Sequence, residues 1–278
     1  MHAERDFGTQ TTGDPAVRGE FVKIFEPRPG IRVLKLDRPD RLNSWHEPMR
    51  HEMAAAVDEL ALSDARVAIV CGNERAFSAG EDVCGMGDLS AISTKKFRAI
   101  ARQFHDALDG IEALEIPVIA AIEGVAAGGG FELALSCDFR VVGRAARLGL
   151  PEMNVGLIPG SGGCSRLVRL VGVAKAKEIL MLEGMMPAER AHALGLVTRL
   201  VDAGQAYEHA LQLSVQLAEK APQALGVAKL VLNACADVEL ETGRRFERLG
   251  QSVLKKSPDH AEGVQAFVEK RKPRWTEA

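Results

Sequence analysis

Two spacings of apolar residues take turns along the first two thirds of the chain. "IRVLKL" (31–36) is a short apolar run. The turn chemistry of "DRPDRLNS" follows it, and then "HEPMRHEMAAAVDELAL", in which Met49, Met53, Val57 and Leu60 recur at helical spacing. The pattern predicts strand, loop, helix. "RVAIVCG" starts the unit again, passes through "NERAFSAGED" and leads to a helical stretch over 94–111. "PVIAAIEG" predicts a third strand running into three glycines and a short helix over 131–136, after which "FRVVG" and "ARLGL" predict two more strands. Strands alternating with helices argue for an α/β core of repeated units.

After about Val201 the strand signals stop. Helical patterns follow over 206–219, 222–235, 240–255 and 260–270. The expected organisation is therefore a polar, disordered tail over 1–18, a core over 19–203, and a helical annex over 204–278 that packs on the core or on a neighbouring subunit.

Composition narrows the classes. With 46% hydrophobic and 26% charged residues and a formal net charge of -3, the chain offers no electrostatic invitation to nucleic acid or to an anionic membrane. Its apolar runs fall far short of the roughly 18 residues that cross a bilayer, and "MHAERDFGTQTTGDP" contains no signal-peptide core. The five cysteines are odd in number, with no CxxC pair and no histidine at metal-ligand spacing. They predict reduced thiols, a cytoplasmic protein and no bound metal.

Three glycines directly before a helix need a reason, since glycine costs roughly 1 kcal/mol against alanine inside one. "AAGGGFE" and "AFSAGED" each place a glycine between an apolar strand and a predicted helix start. Backbone N–H groups at such starts bind an anion or a developing oxyanion, and two facing each other would make an oxyanion hole. The same turns without a ligand are equally compatible with the pattern. Glu132 follows the glycines, and Glu152 lies in "GLPEMNVGLIPGSGG" at the end of a predicted strand. Two carboxylates entering one pocket from different elements suit acid and base work, because shared burial raises at least one pKa.

These motifs carry a resemblance. In order, "LKLDRPDRLNS", "AFSAGEDVCGM", "IPVIAAIEGVAAGGGFELALSCD", "GLPEMNVGLIPGSGGCSRLVRLVG", "AERAHALGLV" and "GVQAFVEKRKPRW" resemble the enoyl-CoA hydratase (crotonase) family over nearly the whole chain. The resemblance implies a crotonase-like α/β core of repeated ββα units with a C-terminal helical annex, and hydration of a 2-enoyl-CoA. It implies an oxyanion hole from the N–H groups of Glu81 and Gly129, with Gly128 and Gly130 serving the turn. Glu132 is expected to orient and activate water, and Glu152 to protonate the α-carbon. Leu42, Ala79, Glu81, Asp82, Val83, Cys84 and Gly129 are expected to line the substrate cleft. Phe267 and Lys270 match positions that reach the adenine end of coenzyme A.

The resemblance further implies a homotrimer or a dimer of trimers, and no cofactor beyond the coenzyme A of the substrate. Two alternatives stay open at this point: a double-bond isomerase on the same fold, which needs one carboxylate, and a family member that binds RNA. Glu81 stands where many family hydratases carry a small or apolar residue. Trp45 and His46 are bulky, and either shape the acyl pocket or pack on the core.

Overall fold

The computed structural model describes residues 19–82 and 92–275. The tail expected over 1–18 lies outside the described residues. The chain builds two sheets. The larger contains β1 (Val22–Arg28), β2 (Ile31–Leu36), β3 (Val67–Cys71), β5 (Val118–Ile122), β7 (Phe139–Gly143) and β10 (Arg199–Val201), paired in the order β1-β2-β3-β5-β7-β10. Only the β1–β2 pair is antiparallel. The smaller sheet pairs β4 (Ala76–Ser78), β6 (Val125–Ala127), β8 (Arg147–Gly149) and β9 (Met185–Pro187) in the order β4-β6-β8-β9, with β8–β9 antiparallel.

Successive units thus give one strand to each sheet: β3 and β4, β5 and β6, β7 and β8. Apolar runs mark β7 and β8 separately, but they miss β4 and β6, three-residue strands that follow the runs of β3 and β5. Between β5 and β6 stands Gly124, whose φ of +60° turns the chain and where a Cβ would collide with the Arg75 carbonyl. β1 is also absent from the sequence reading. It is an edge strand that buries only Val22 and Phe25 among charged neighbours, so its pattern is weak.

The helices expected from apolar spacing form. α1 (Glu47–Ala61) buries Met49, Met53, Val57 and Leu60, and α2 (Thr94–Ala113) is capped by Ser93, whose Oγ accepts from the Lys96 N–H. The short helix α3 (Gly129–Ser136) starts two residues earlier than expected. α4 (Gly163–Glu178) and α5 (Ala188–Ala193) were not anticipated, since glycines and charges interrupt their apolar stripes. One core lies between the two sheets and α1, α2 and α3. The other face of the large sheet is closed by α6 (Ala206–Ala218), whose Ala206, Ala210 and Leu213 meet Val33, Ile69 and Val141. α6 comes just after the boundary expected at 203/204, yet it packs as part of this core.

Beyond it run α7 (Pro222–Cys235), α8 (Leu240–Leu254) and α9 (Pro258–Glu269). α7 is fastened by Lys229, whose buried Nζ donates to the Ile111 and Ile116 carbonyls and pairs with Asp138 at 2.9 Å. These three helices leave Leu232, Leu240, Leu249, Val253, Val264 and Phe267 exposed.

Candidate active site

The "DRPDRLNS" turn builds one wall of the site. Pro39 starts a single 3-10 turn, and Leu42 and Asn43 then adopt left-handed φ values of 52° and 53°. Asn43 tolerates this because its short amide bonds locally: Oδ1 accepts from the Arg38 N–H, and Nδ2 donates to the Ala76 and Phe77 carbonyls of β4. Ser78 Oγ donates to the Asn43 carbonyl and accepts from the Gly80 N–H, while the Ala79 N–H donates to the Leu42 carbonyl. The loop and the end of β4 are therefore one hydrogen-bonded body.

That body fixes the first proposed oxyanion donor. Trp45 bridges Glu81 in parallel: its N–H donates to the Gly80 carbonyl and its carbonyl accepts from Asp82. The Glu81 N–H takes no part in these bonds. Glu81 follows an extended segment, and the helix start expected just after "AFSAGED" lies outside the described residues.

The second turn faces the first. A Cβ built on Gly80, which has φ +83°, would stand 3.0 Å from the Gly129 nitrogen. Gly129 is the first residue of α3, where a backbone N–H has no intrahelical acceptor. Parallel pairing of β4 with β6 brings the two turns side by side. The three glycines serve different needs. Gly128 takes φ +52° and lies under Glu152, whose Oε1 would be 2.9 Å from an added Cβ. Gly129 is bordered by Trp45 and Phe104. Gly130 has no left-handed φ; its Cβ would collide with the Ser78 carbonyl, so it serves close packing of α3 on β4 and not the turn.

Both carboxylates reach this place. Glu132 lies in the first turn of α3 and is 3% exposed. Its Oε1 accepts from the N–H groups of Ser161 at 2.7 Å and Gly163 at 2.8 Å. Burial raises its pKa, against which those two hydrogen bonds act. Glu152 stands on a 3-10 turn, Pro151–Val155, and its Oε2 is buried without a hydrogen-bond partner. Burial, and secondarily the charge of Glu132, push the Glu152 carboxyl up to about 6. Two acids from separate elements, one anchored and one with a free oxygen, thus stand at the turn that presents Gly129, close enough for the charge of Glu132 to act on Glu152.

Other predicted positions divide. Leu42, Ala79, Glu81 and Asp82 belong to the wall just described. Val83 and Cys84 lie outside the described residues. Phe267 is 86% exposed on α9, and Lys270 caps that helix with φ 54°. Phe267 borders a cavity of about 450 Å³ with Ala224, Leu254 and Trp275, and neither Glu132 nor Glu152 lines it.

The sequence reading also missed several partners. The Glu81 side chain pairs with Arg50 at 2.5 Å, and Asp82 pairs with Arg38 at 2.8 Å. Trp45 is fully buried against Phe104, with ring centroids 4.9 Å apart, so it is both a core residue and a neighbour of Gly129. The Ser161 and Gly163 donors lie in the quoted motif "IPGSGG", but nothing in the letters says where their N–H groups point. Among the described residues, no group of three His, Cys, Asp or Glu side chains is placed to hold a metal ion, and no helix is long and apolar enough to cross a membrane.

The chain matches the family model for enoyl-CoA hydratase/isomerase over residues 26–278. It is 32% identical to a short-chain-enoyl-CoA hydratase of Clostridium acetobutylicum, over 90% of this chain and 95% of that protein. It is 34% identical to the mitochondrial methylglutaconyl-CoA hydratase of Rattus norvegicus, over 91% of this chain and 81% of that one. The crystal structure of an enoyl-CoA hydratase from Bacillus anthracis superposes with a TM-score of 0.87 at 32% identity, covering 92% of this chain and 99% of the other. This chain belongs to the enoyl-CoA hydratase/isomerase family and has its fold.

Proposed function

We propose that this protein is an enoyl-CoA hydratase, which adds water reversibly across the 2,3 double bond of an enoyl-CoA thioester. The observation that carries the reading is the convergence of Glu132 and Glu152, both with raised pKa, on the turn that presents the Gly129 N–H. The thioester oxygen accepts from the N–H groups of Glu81 and Gly129. Water, oriented by Glu132, bonds to C3 as its proton passes to the Glu132 carboxylate. The double-bond electrons move to C2, and negative charge collects on the thioester oxygen, where two fixed donors are most effective. C2 then takes the proton of Glu152. One proton must afterwards return from Glu132 to Glu152, so the two acids titrate as a pair.

Written this way the reaction needs no metal and no redox cofactor; coenzyme A arrives with the substrate. Leu42, Ala79 and Asp82 are read as the cleft wall. Phe267 and Lys270 are read as contacts for the adenine end of coenzyme A, and their exposure leaves them open to a substrate held by a neighbouring subunit. The apolar residues exposed on α7, α8 and α9 support assembly as a homotrimer or a pair of trimers, which sedimentation at several concentrations tests. The acidic net charge speaks against nucleic-acid binding. The free thiols of Cys71, Cys137, Cys164 and Cys235 fit a reducing compartment, and we place the protein in the cytosol.

The test is a panel of 2-enoyl-CoA thioesters, short, long and cyclic, followed by loss of the conjugated enoyl absorbance. A 3-enoyl-CoA is included as the isomerase substrate. Turnover of the 3-enoyl substrate alone would replace the hydratase reading with the isomerase one.

A further inference from the structure

Glu132 is held by a loop, and the loop is held by a buried cation that has no place in the chemistry described so far. Arg166, on the first turn of α4, is 4% exposed. Its guanidinium reaches three groups. Nη1 donates to the Ser161 carbonyl at 2.9 Å, Nη2 to Asp109 at 2.6 Å, and Nε and Nη2 together grip Glu112 Oε2 at 3.1 and 2.8 Å. Asp109 and Glu112 belong to α2. Gly162, with φ +95°, leaves the guanidinium room to pass, since a Cβ there would collide with Nη1. Ser161 in turn gives its N–H to Glu132 Oε1, as does Gly163.

We propose that Arg166 is a positioning residue for the water-activating carboxylate: anchored to Asp109 and Glu112, its guanidinium fixes Ser161, and the Ser161 and Gly163 N–H groups then hold Glu132 Oε1, which sets the direction of the other carboxylate oxygen. The inference rests on the reading of Glu132 as the group that activates water. The planar fork of arginine suits the task, because it bonds a carbonyl and two carboxylates in fixed directions, whereas lysine offers a single point charge. The cost of burying the cation is offset by both acids of α2. The carboxylate's second oxygen stays free of these bonds and is left for water.

Electrostatics gives the idea an independent handle. Glu132 is faced by Glu152 from the 3-10 turn, by His105 from α2, and by Arg166 and Cys164 from α4. Arg166 is itself faced by Asp109 and Glu112, and Arg169 lies 4.0 Å from the other oxygen of Glu112. Arg166 favours ionised Glu132, and Glu112 partly cancels that influence. Removing Arg166 must therefore move the titration of Glu132 up, and neutralising Glu112 must move it down.

The experiment compares Arg166→Met, Arg166→Lys, Glu112→Gln and Glu132→Gln in the full-length protein, with 2-butenoyl-CoA as substrate and kcat and KM measured across pH. Arg166→Met should lower kcat about 10–100-fold through misplacement of Glu132, with KM changing less than about threefold, since Arg166 does not touch substrate. The acid limb of its kcat/KM profile should shift to higher pH, while that of Glu112→Gln shifts to lower pH. Arg166→Lys should keep the parent limb, because the charge remains, and still lose kcat, because the fork is gone. A merely structural role moves stability alike in these variants and does not move the limb in opposite directions.

Parent-like kcat and limb in Arg166→Met, or limbs that move together or not at all, would overturn the proposal. If Arg166→Met does not fold, Arg166→Lys and Glu112→Gln decide by the same criteria. The two readings separate cleanly: parent-like turnover in Glu132→Gln removes Glu132 from the mechanism. An inactive Glu132→Gln beside a parent-like Arg166→Met removes only the positioning role.

Discussion

Replacing Glu152 by Gln should make the protein more stable at pH 8 even as it stops hydration. The Glu152 carboxyl is raised from its ordinary 4.5 to about 6, chiefly by burial. A carboxyl raised on folding binds protons more readily in the folded state than in the unfolded one. Stability then falls as pH climbs from 4.5 to about 6, and the full penalty persists at higher pH. A shift of about 1.5 units corresponds to about 2 kcal/mol, and solvent reaching this half-buried group reduces that to about 1 kcal/mol. Gln has nearly the same volume and no charge to bury. Thermal unfolding of parent and Glu152→Gln at one protein concentration should give a midpoint about 2–4 °C higher for the variant at pH 8. The two curves should converge below about pH 4.5. A variant equal to the parent at pH 8, or a gain that grows on acidification, would refute the claim that an ionised Glu152 is held at a cost.

Glu132→Gln should lower hydration by about 10²–10⁴-fold at unchanged fold, checked by the decay of enoyl absorbance and by circular dichroism. Gly129→Pro removes the proposed N–H donor at a helix position where proline is well accepted, and should cost about 3–4 kcal/mol of transition-state stabilisation. Gly160→Ala is its control, because a Cβ there meets nothing within 4 Å, whereas one at Gly124 would collide with the Arg75 carbonyl. Lys229→Met strips the buried partner from Asp138 and should destabilise by about 3–5 kcal/mol, measured by denaturant unfolding.

Much of the architecture was legible because local spacing and burial agree. Met49, Met53, Val57 and Leu60 sit at one helical face in the letters and on one buried face in α1. The annex helices over 206–269 read correctly from spacing alone: α6 buries its apolar face, while α7, α8 and α9 leave Leu232, Leu249 and Phe267 among others exposed. The candidate site was legible as residue types at turns: Glu132, Glu152 and the three glycines stand out without any coordinates. α4 is not legible in the letters because its two glycines and four basic residues mask the few side chains it buries, Leu167 and Arg166 among them.

Local sequence sets the long helices α1, α2 and α6 to α9, the strands β2, β3, β5, β7 and β8, and the supply of glycines and carboxylates at the turns. The tertiary structure alone decided how they meet. Gly124 turns the chain from the large sheet into the small one, and pairing of β4 with β6 sets the Gly80 turn against Gly129. Arg166, separated from Asp109 by 57 positions and from Glu112 by 54, becomes the brace of the loop that holds Glu132. Such contacts depend on chain segments brought together by burial of the sheets and helices between them, and one-dimensional spacing carries no record of that closure.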